Sequence, residues 1–174
     1  MIYVFYILAA VLIYFSYKSF RGGIDYLNYF KLEVAKVRPN SGLPVTIFAP
    51  CRGVDQGMLE NLDALLQQDY PEYEIVFIID DEDDAAARLI ESAWREARRQ
   101  VKLVVAPKAT DSSQKVTNLR EGILHADPAS EIFVFIDSDA RPTKHWLHHL
   151  VAPLSEPEIG AATGYRWFIS RHET

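Results

Sequence analysis

Hydrophobic positions along this chain fall into three regimes. In the first, Met1 to Tyr17, MIYVFYILAAVLIYFSY, large apolar side chains follow one another without a charge. In the second, Ile24 to Lys36, IDYLNYFKLEVAK, aromatic and aliphatic residues recur at helical spacing between charges. That pattern suits an amphipathic helix along a membrane interface, or an ordinary linking helix. The turn-rich RPNSG, Arg38 to Gly42, then breaks the chain. From Leu43 onward short apolar runs alternate with amphipathic stretches.

These runs predict a sequence of elements. PVTIFAP (Pro44–Pro50) reads as a strand, and MLENLDALLQQ (Met58–Gln68) as a helix with Leu59, Leu62, Leu65 and Leu66 on one stripe. YEIVFIID (Tyr73–Asp80) is a second strand and AAARLIESAWREARRQ (Ala85–Gln100) a second helix. VKLVVAP (Val101–Pro107) and QKVTNLREGILHA (Gln114–Ala126) repeat the alternation. EIFVFID (Glu131–Asp137) is a fourth strand, apolar on both faces and so expected to be buried. TKHWLHHLVAPL (Thr143–Leu154) is a short helix and IGAATGYRWFI (Ile159–Ile169) a fifth strand. Strand–helix alternation predicts an α/β fold of right-handed βαβ units with a mostly parallel sheet.

Composition adds bounds. With 174 residues, 49% of them hydrophobic, the chain accommodates one globular domain and one extra element. A net charge of −6 argues against nucleic-acid binding, which needs a basic face. The lone cysteine, Cys51, rules out an internal disulfide and fits a reducing compartment.

The uncharged N-terminal run lies at the short end of the roughly 17–25 residues that span a bilayer. It lacks the basic start and clear cleavage site of a signal peptide. A retained transmembrane helix is expected over residues 1–20, a juxtamembrane segment over 21–42 and the soluble domain over 43–174. Lys18, Arg21, Lys31, Lys36 and Arg38 follow the uncharged run Met1–Tyr17 and no basic residue precedes it, which predicts a soluble domain on the cytoplasmic face.

In parallel sheets ligands bind at the carboxyl ends of the strands, so the residues after each strand carry the chemistry. Arg52 follows the first strand, DDEDD (Asp80–Asp84) the second, Lys108 and Asp111 the third, and Asp137 and Asp139 the fourth. Asp137 and Asp139, two residues apart, can converge on one hard cation, Mg²⁺ or Mn²⁺, which keeps positions open for phosphate oxygens. Capping of the following helix is the alternative use of one of them. Asp83 or Asp84 suits the cap of the helix at Ala85, and Asp81 is placed to accept hydrogen bonds from a base or ribose. Lys115, in the first turn of its helix, opposes the helix dipole unless it meets an anion. His125, His145, His148 and His149 follow no zinc pattern and read as surface residues.

Taken together, PVTIFAPCRGVD, LLQQDYPEYEIVFIIDDEDDAA, QKVTNLREGI, IFVFIDSDARP and TGYRWF resemble the family-2 inverting glycosyltransferases of the GT-A, Rossmann-like fold. Within these they are similar to the membrane-bound ceramide glucosyltransferase group and its bacterial relatives, including lipid and hopanoid glycosyltransferases. The resemblance covers Pro44 to about Ile169. It implies that Asp81 and Asp84 contact the nucleotide base and sugar. It places Lys115 and Asn118 against the donor nucleotide, and Arg52 in a supporting basic position. Asp137 and Asp139 match the D-x-D that binds ribose and a divalent metal. The donor implied is a UDP-sugar and the acceptor a membrane lipid. The family's general base and its Q/R-x-x-R-W motif belong to a later stretch, so the base is expected beyond Thr174 and the chain resembles the N-terminal, donor-binding portion of the enzyme. Tyr165–Phe168, YRWF, contains Arg-Trp but comes too early. Two other readings are a membrane-tethered nucleotide-binding module without catalysis and a metal-dependent phosphatase. The second meets Arg141 where the D-x-D-x-T/V pattern has Thr or Val.

Overall fold

The computed structural model describes residues 2–36, 38, 39, 42–96 and 99–165. The chain divides into two compact units, Met1–Pro39 and Asn40–Thr174. In the first, helix α1 (Ile2–Ala35) has no buried residue. Among the described residues it is the one helix long and apolar enough to cross a membrane. At about 1.5 Å per residue it extends about 51 Å, against a hydrocarbon core of roughly 30 Å. It runs unbroken through Gly22 and Gly23, so the charged, aromatic segment continues the apolar one as the same helix.

In the second unit, β1 (Val45–Pro50) and β2 (Tyr73–Ile79) are buried almost throughout. Apolar side chains on both faces place them at the centre of a sheet covered on both sides. The sheet is parallel throughout, in the order β3-β2-β1-β4, with β3 at Gln100–Val105 and β4 at Ile132–Phe135. One face of β1 and β2 packs against α2 (Met58–Leu66), α3 (Ala85–Glu96) and α5 (Trp146–Val151) through Leu62, Leu65, Ile90, Leu147 and Val151. The other face, with Phe48, Val76 and Ile78, receives Leu119 of α4 (Gln114–Leu124). Helices on both faces of a parallel sheet give the doubly wound α/β architecture.

Gly122 lets α4 come close. A Cβ there would lie 2.8 Å from Ile78 Cγ1 and 3.3 Å from Phe48 Cδ1. At the amino edge of the sheet, the buried Glu74 carboxylate ties the strands together. Its Oε1 accepts from Thr46 Oγ1 at 2.9 Å and from the Asp127 amide at 2.6 Å. Its Oε2, otherwise without a hydrogen-bond partner, is neutralised by Lys102 Nζ at 2.9 Å. This polar knot closes one end of the sheet and leaves the other for the loops.

Several expectations are corrected. Leu59 is half-exposed, and α2 buries Met58, Asn61, Leu62, Leu65 and Leu66 instead. The fourth strand is half-buried: among the described residues β4 lies at the sheet edge, with Ile132 and Val134 facing the core and Phe133 and Phe135 exposed. Both rings contact Phe48, Phe133 edge-on at 5.3 Å between centroids and Phe135 stacked at 5.4 Å. Helix α3 ends at Glu96, and Gln100 already belongs to β3. The expected fifth strand is not formed over Ile159–Tyr165. Its remainder, and with it Arg166 and Trp167, lies outside the described residues.

Candidate functional site

Because all four strands run the same way, the residues that follow them gather at one edge. Backbone hydrogen bonds carry the sheet one step into these loops. Cys51 N donates to Ile78 O at 2.8 Å, Ala106 N to Ile79 O at 2.8 Å and Ile136 N to Phe48 O at 3.1 Å. The chains beyond are thereby aimed together.

After β4, residues 137–140 form a turn closed by Ala140 N donating to Asp137 O at 3.0 Å. Asp137 is half-exposed and Asp139 exposed. Helix α4 starts opposite them, capped by Ser113 Oγ, which accepts from Val116 N. Lys115, in its first turn, forms an ion pair with Asp137 Oδ1. The anion that draws a lysine to this unfavourable end of the helix is therefore a carboxylate of the D-S-D turn.

After β2 the acidic run separates into roles. Asp80 is buried, with Lys108 Nζ at 3.5 Å from its Oδ2. Asp81 is exposed; its Oδ2 lies 3.8 Å from the same lysine and its Oδ1 accepts from Asp83 N. Asp84 caps α3 by accepting from Ala86 N at 2.8 Å, and both its oxygens accept from Gly53 N at 3.0 Å. Gly53 has φ of 65°, a left-handed conformation that glycine adopts without a Cβ penalty. Asp84 thus ties the β1 loop to α3. Beside it, burial pushes the Cys51 thiol up to about 12, with the Asp84 charge adding to the rise and Ser138 opposing it. A thiol so placed stays protonated.

Of the residues singled out in the sequence, Lys115 and Asp137 are in contact, Asp139 follows in the same turn, and Asp81 and Asp84 lie at the same edge after β2, with β1 between them and that turn. Arg52 is exposed in the β1 loop. Asn118 is buried on α4, and its Oδ1 accepts from Gln114 Nε2 at 2.8 Å. Gln114 also holds the loop after β3, through Ala109 N and Pro107 O. Asp80 and Lys108 had no assigned role, although the parallel-sheet rule already places the residues after β2 and β3 side by side. His145 pairs with Asp69 at 3.2 Å and His125 lies 3.3 Å from Glu121.

Among the described residues no group of three or more His, Cys, Asp or Glu side chains could hold a metal ion. A Mg²⁺ or Mn²⁺ site that also takes phosphate needs only one or two carboxylates, since the phosphate supplies further oxygens. Asp137 and Asp139, an all-oxygen pair at a strand end, meet that requirement.

A family model described as glycosyl transferase family 21 matches residues 4–173. Among solved structures, the chain is similar to a mannosyltransferase, PcManGT from Pyrobaculum calidifontis, in complex with GDP-Man and Mn²⁺. Identity is 23% and the TM-score 0.61, over 81% of this chain and 42% of that one. It is also similar to S. aureus TarS 1-349 in complex with UDP-GlcNAc, with 23% identity and a TM-score of 0.52 over 66% and 32% of the two chains. These likenesses agree with the GT-A-like α/β fold. The chain spans less than half the length of either structure.

Proposed function

The chain belongs to glycosyl transferase family 21, and we propose that it forms the donor-binding part of an enzyme that moves a sugar from a nucleoside diphosphate, UDP in the first instance, to a lipid. The match supports the resemblance to the ceramide glucosyltransferase group, under family 21 and not family 2. The lipid acceptor and the cytoplasmic face rest on the N-terminal helix and on the basic residues that follow its apolar start. The observation that carries the donor site is the Lys115–Asp137 ion pair at the carboxyl edge of the sheet, with Asp139 two residues further on.

Asp137 and Asp139 would hold a divalent cation, Mg²⁺ or Mn²⁺, and PcManGT was solved with Mn²⁺ beside its own donor. Bound there, such a cation supplies neutralising charge to a departing diphosphate. The side chains of the chain do the rest of the donor work. Lys115 donates to a diphosphate oxygen, and its exposed ammonium reaches for it without leaving a buried partner behind. Asp81 accepts from the base or ribose, with Lys108 holding it against Asp80. Asp84 fixes the β1 loop, and with it Arg52, at the rim. Asn118, through Gln114, steadies the loop after β3. The acceptor hydroxyl, deprotonated by a base outside these residues, then attacks the anomeric carbon with inversion.

The test is lipid-extractable label from radiolabelled UDP-sugars in membranes containing the full-length protein. Transfer that needs Mg²⁺ or Mn²⁺ and vanishes in Asp139→Ala is expected. Absence of transfer from every UDP- or GDP-sugar, with nucleotide binding intact, would favour the tethered binding module instead.

A further inference from the structure

Helix α2 and the residues just after it hold the β4–α5 connection at two places. At the far one Gln68, buried, donates to the Thr143 carbonyl and accepts from Leu147 N, each at 3.0 Å. At the near one Asn61, only 6% exposed, donates Nδ2 to the Ser138 carbonyl at 3.2 Å. That carbonyl lies between the two aspartates. Asn61 Oδ1 in turn accepts from Arg141 Nε at 3.0 Å. The same guanidinium donates to Gly57 O at 3.2 Å and lies 3.7 Å from Glu60 Oε2.

Asn61 sits on the buried face of α2, beside Met58, Leu62 and Leu65. A helix packed for stability alone would carry an apolar residue there. Instead the amide spends its burial on the backbone of an exposed turn. Arg141 places two different nitrogens, Nε and Nη2, on two separate acceptors, a rigid spread fork that the single nitrogen of a lysine does not offer. With the internal Asp137 O to Ala140 N bond, the turn is held at its middle and at both sides.

We propose that Asn61 and Arg141 are positioning residues, a clamp from α2 that holds the Asp137–Asp139 turn in the shape that receives a metal-bound diphosphate. The inference rests on the donor-site reading above. Ligands placed in advance by such support bind without an ordering cost, and a turn left to move loses that advantage. Neither residue touches the nucleotide in this account; both act through the turn.

Asn61→Asp keeps the acceptor for Arg141 and removes the donor to Ser138. Arg141→Lys keeps the charge and removes the fork. In the full-length protein, each variant should weaken Mn²⁺-dependent UDP binding by about three- to tenfold, the equivalent of one lost hydrogen bond. Amide exchange at Ala140 should speed up in both. The double variant should lose no more than the worse single one, because the two residues act on one turn. Wild-type affinity and exchange in both variants, or losses that multiply in the double variant, would overturn the clamp alone. A wild-type protein that binds no UDP at any Mn²⁺ concentration would refute the donor site itself, and the clamp's purpose with it.

Discussion

Replacing Lys115 by methionine keeps most of the side chain's length and removes its charge. The two members of the ion pair are 58% and 41% exposed, so screening by water leaves the pair about 0–1 kcal/mol of folding stability. Against this, a cation in the first turn of α4 opposes the helix dipole, and its removal returns about 0.3–1 kcal/mol. The two nearly cancel, and Asp137, half-exposed, is rehydrated when its partner goes. Thermal unfolding should therefore be almost unchanged. A hydrogen bond from the ammonium to a charged diphosphate, in contrast, contributes about 1.5–3 kcal/mol, or roughly 10- to 150-fold in affinity. Calorimetric titration with Mn²⁺ should show UDP weakened by that factor in Lys115→Met and uridine hardly affected. Two results would refute the reasoning: UDP binding equal to wild type, or a stability loss above about 2 kcal/mol, which would make Lys115 a structural residue.

Three further outcomes follow from the packing. Glu74→Ala strips partners from Thr46, the Asp127 amide and Lys102 and should cost about 2–4 kcal/mol in urea unfolding; a loss under about 1 kcal/mol would contradict the knot's role. Gly122→Val forces methyl groups into Ile78 and Phe48, so overpacking of about 1–3 kcal/mol should lower the melting temperature, and an unchanged value would contradict the close approach of α4. Cys51 should resist thiol reagents at pH 8 while the fold is intact, and reaction at the rate of a free cysteine would show it accessible. Its raised pKa means that the folded chain keeps a proton the unfolded chain sheds, so the contribution is whole below the ordinary value of 9.0 and is lost as pH climbs toward about 12; Cys51→Ala should flatten that alkaline decline.

Local pattern carried far in this sequence where one chain segment decides the outcome. The apolar runs of β1 and β2, with Arg52 after the first and the acidic run after the second, were legible because burial on both faces and the parallel-sheet rule depend on type and order alone. Capping by Asp84 was among the two residues the helix start allowed. What escaped depends on neighbours. The run from Ile132 to Ile136 looks buried in isolation, but among the described residues β4 lies at the edge of the sheet, and Phe133 and Phe135 stay exposed on one of its faces. Leu59 lies on the leucine stripe by count, yet the face of α2 that meets the sheet is set by Met58, Leu62 and Leu65, and Asn61 takes the place beside them. The pairings of Asn61 with Arg141 and of Lys108 with Asp80 join residues distant in sequence, 80 apart in the first case. No periodicity announces such contacts.

The central claim is that Asp137 and Asp139 hold a divalent cation together with a diphosphate. Electron paramagnetic resonance of Mn²⁺ titrated into the full-length protein, with and without UDP, tests it most directly. Free Mn²⁺ signal should fall in the presence of UDP and protein beyond what UDP alone removes, and Asp139→Asn should abolish that extra loss. Equal Mn²⁺ uptake by wild type and Asp139→Asn, or UDP binding undiminished by a chelator, would contradict the account.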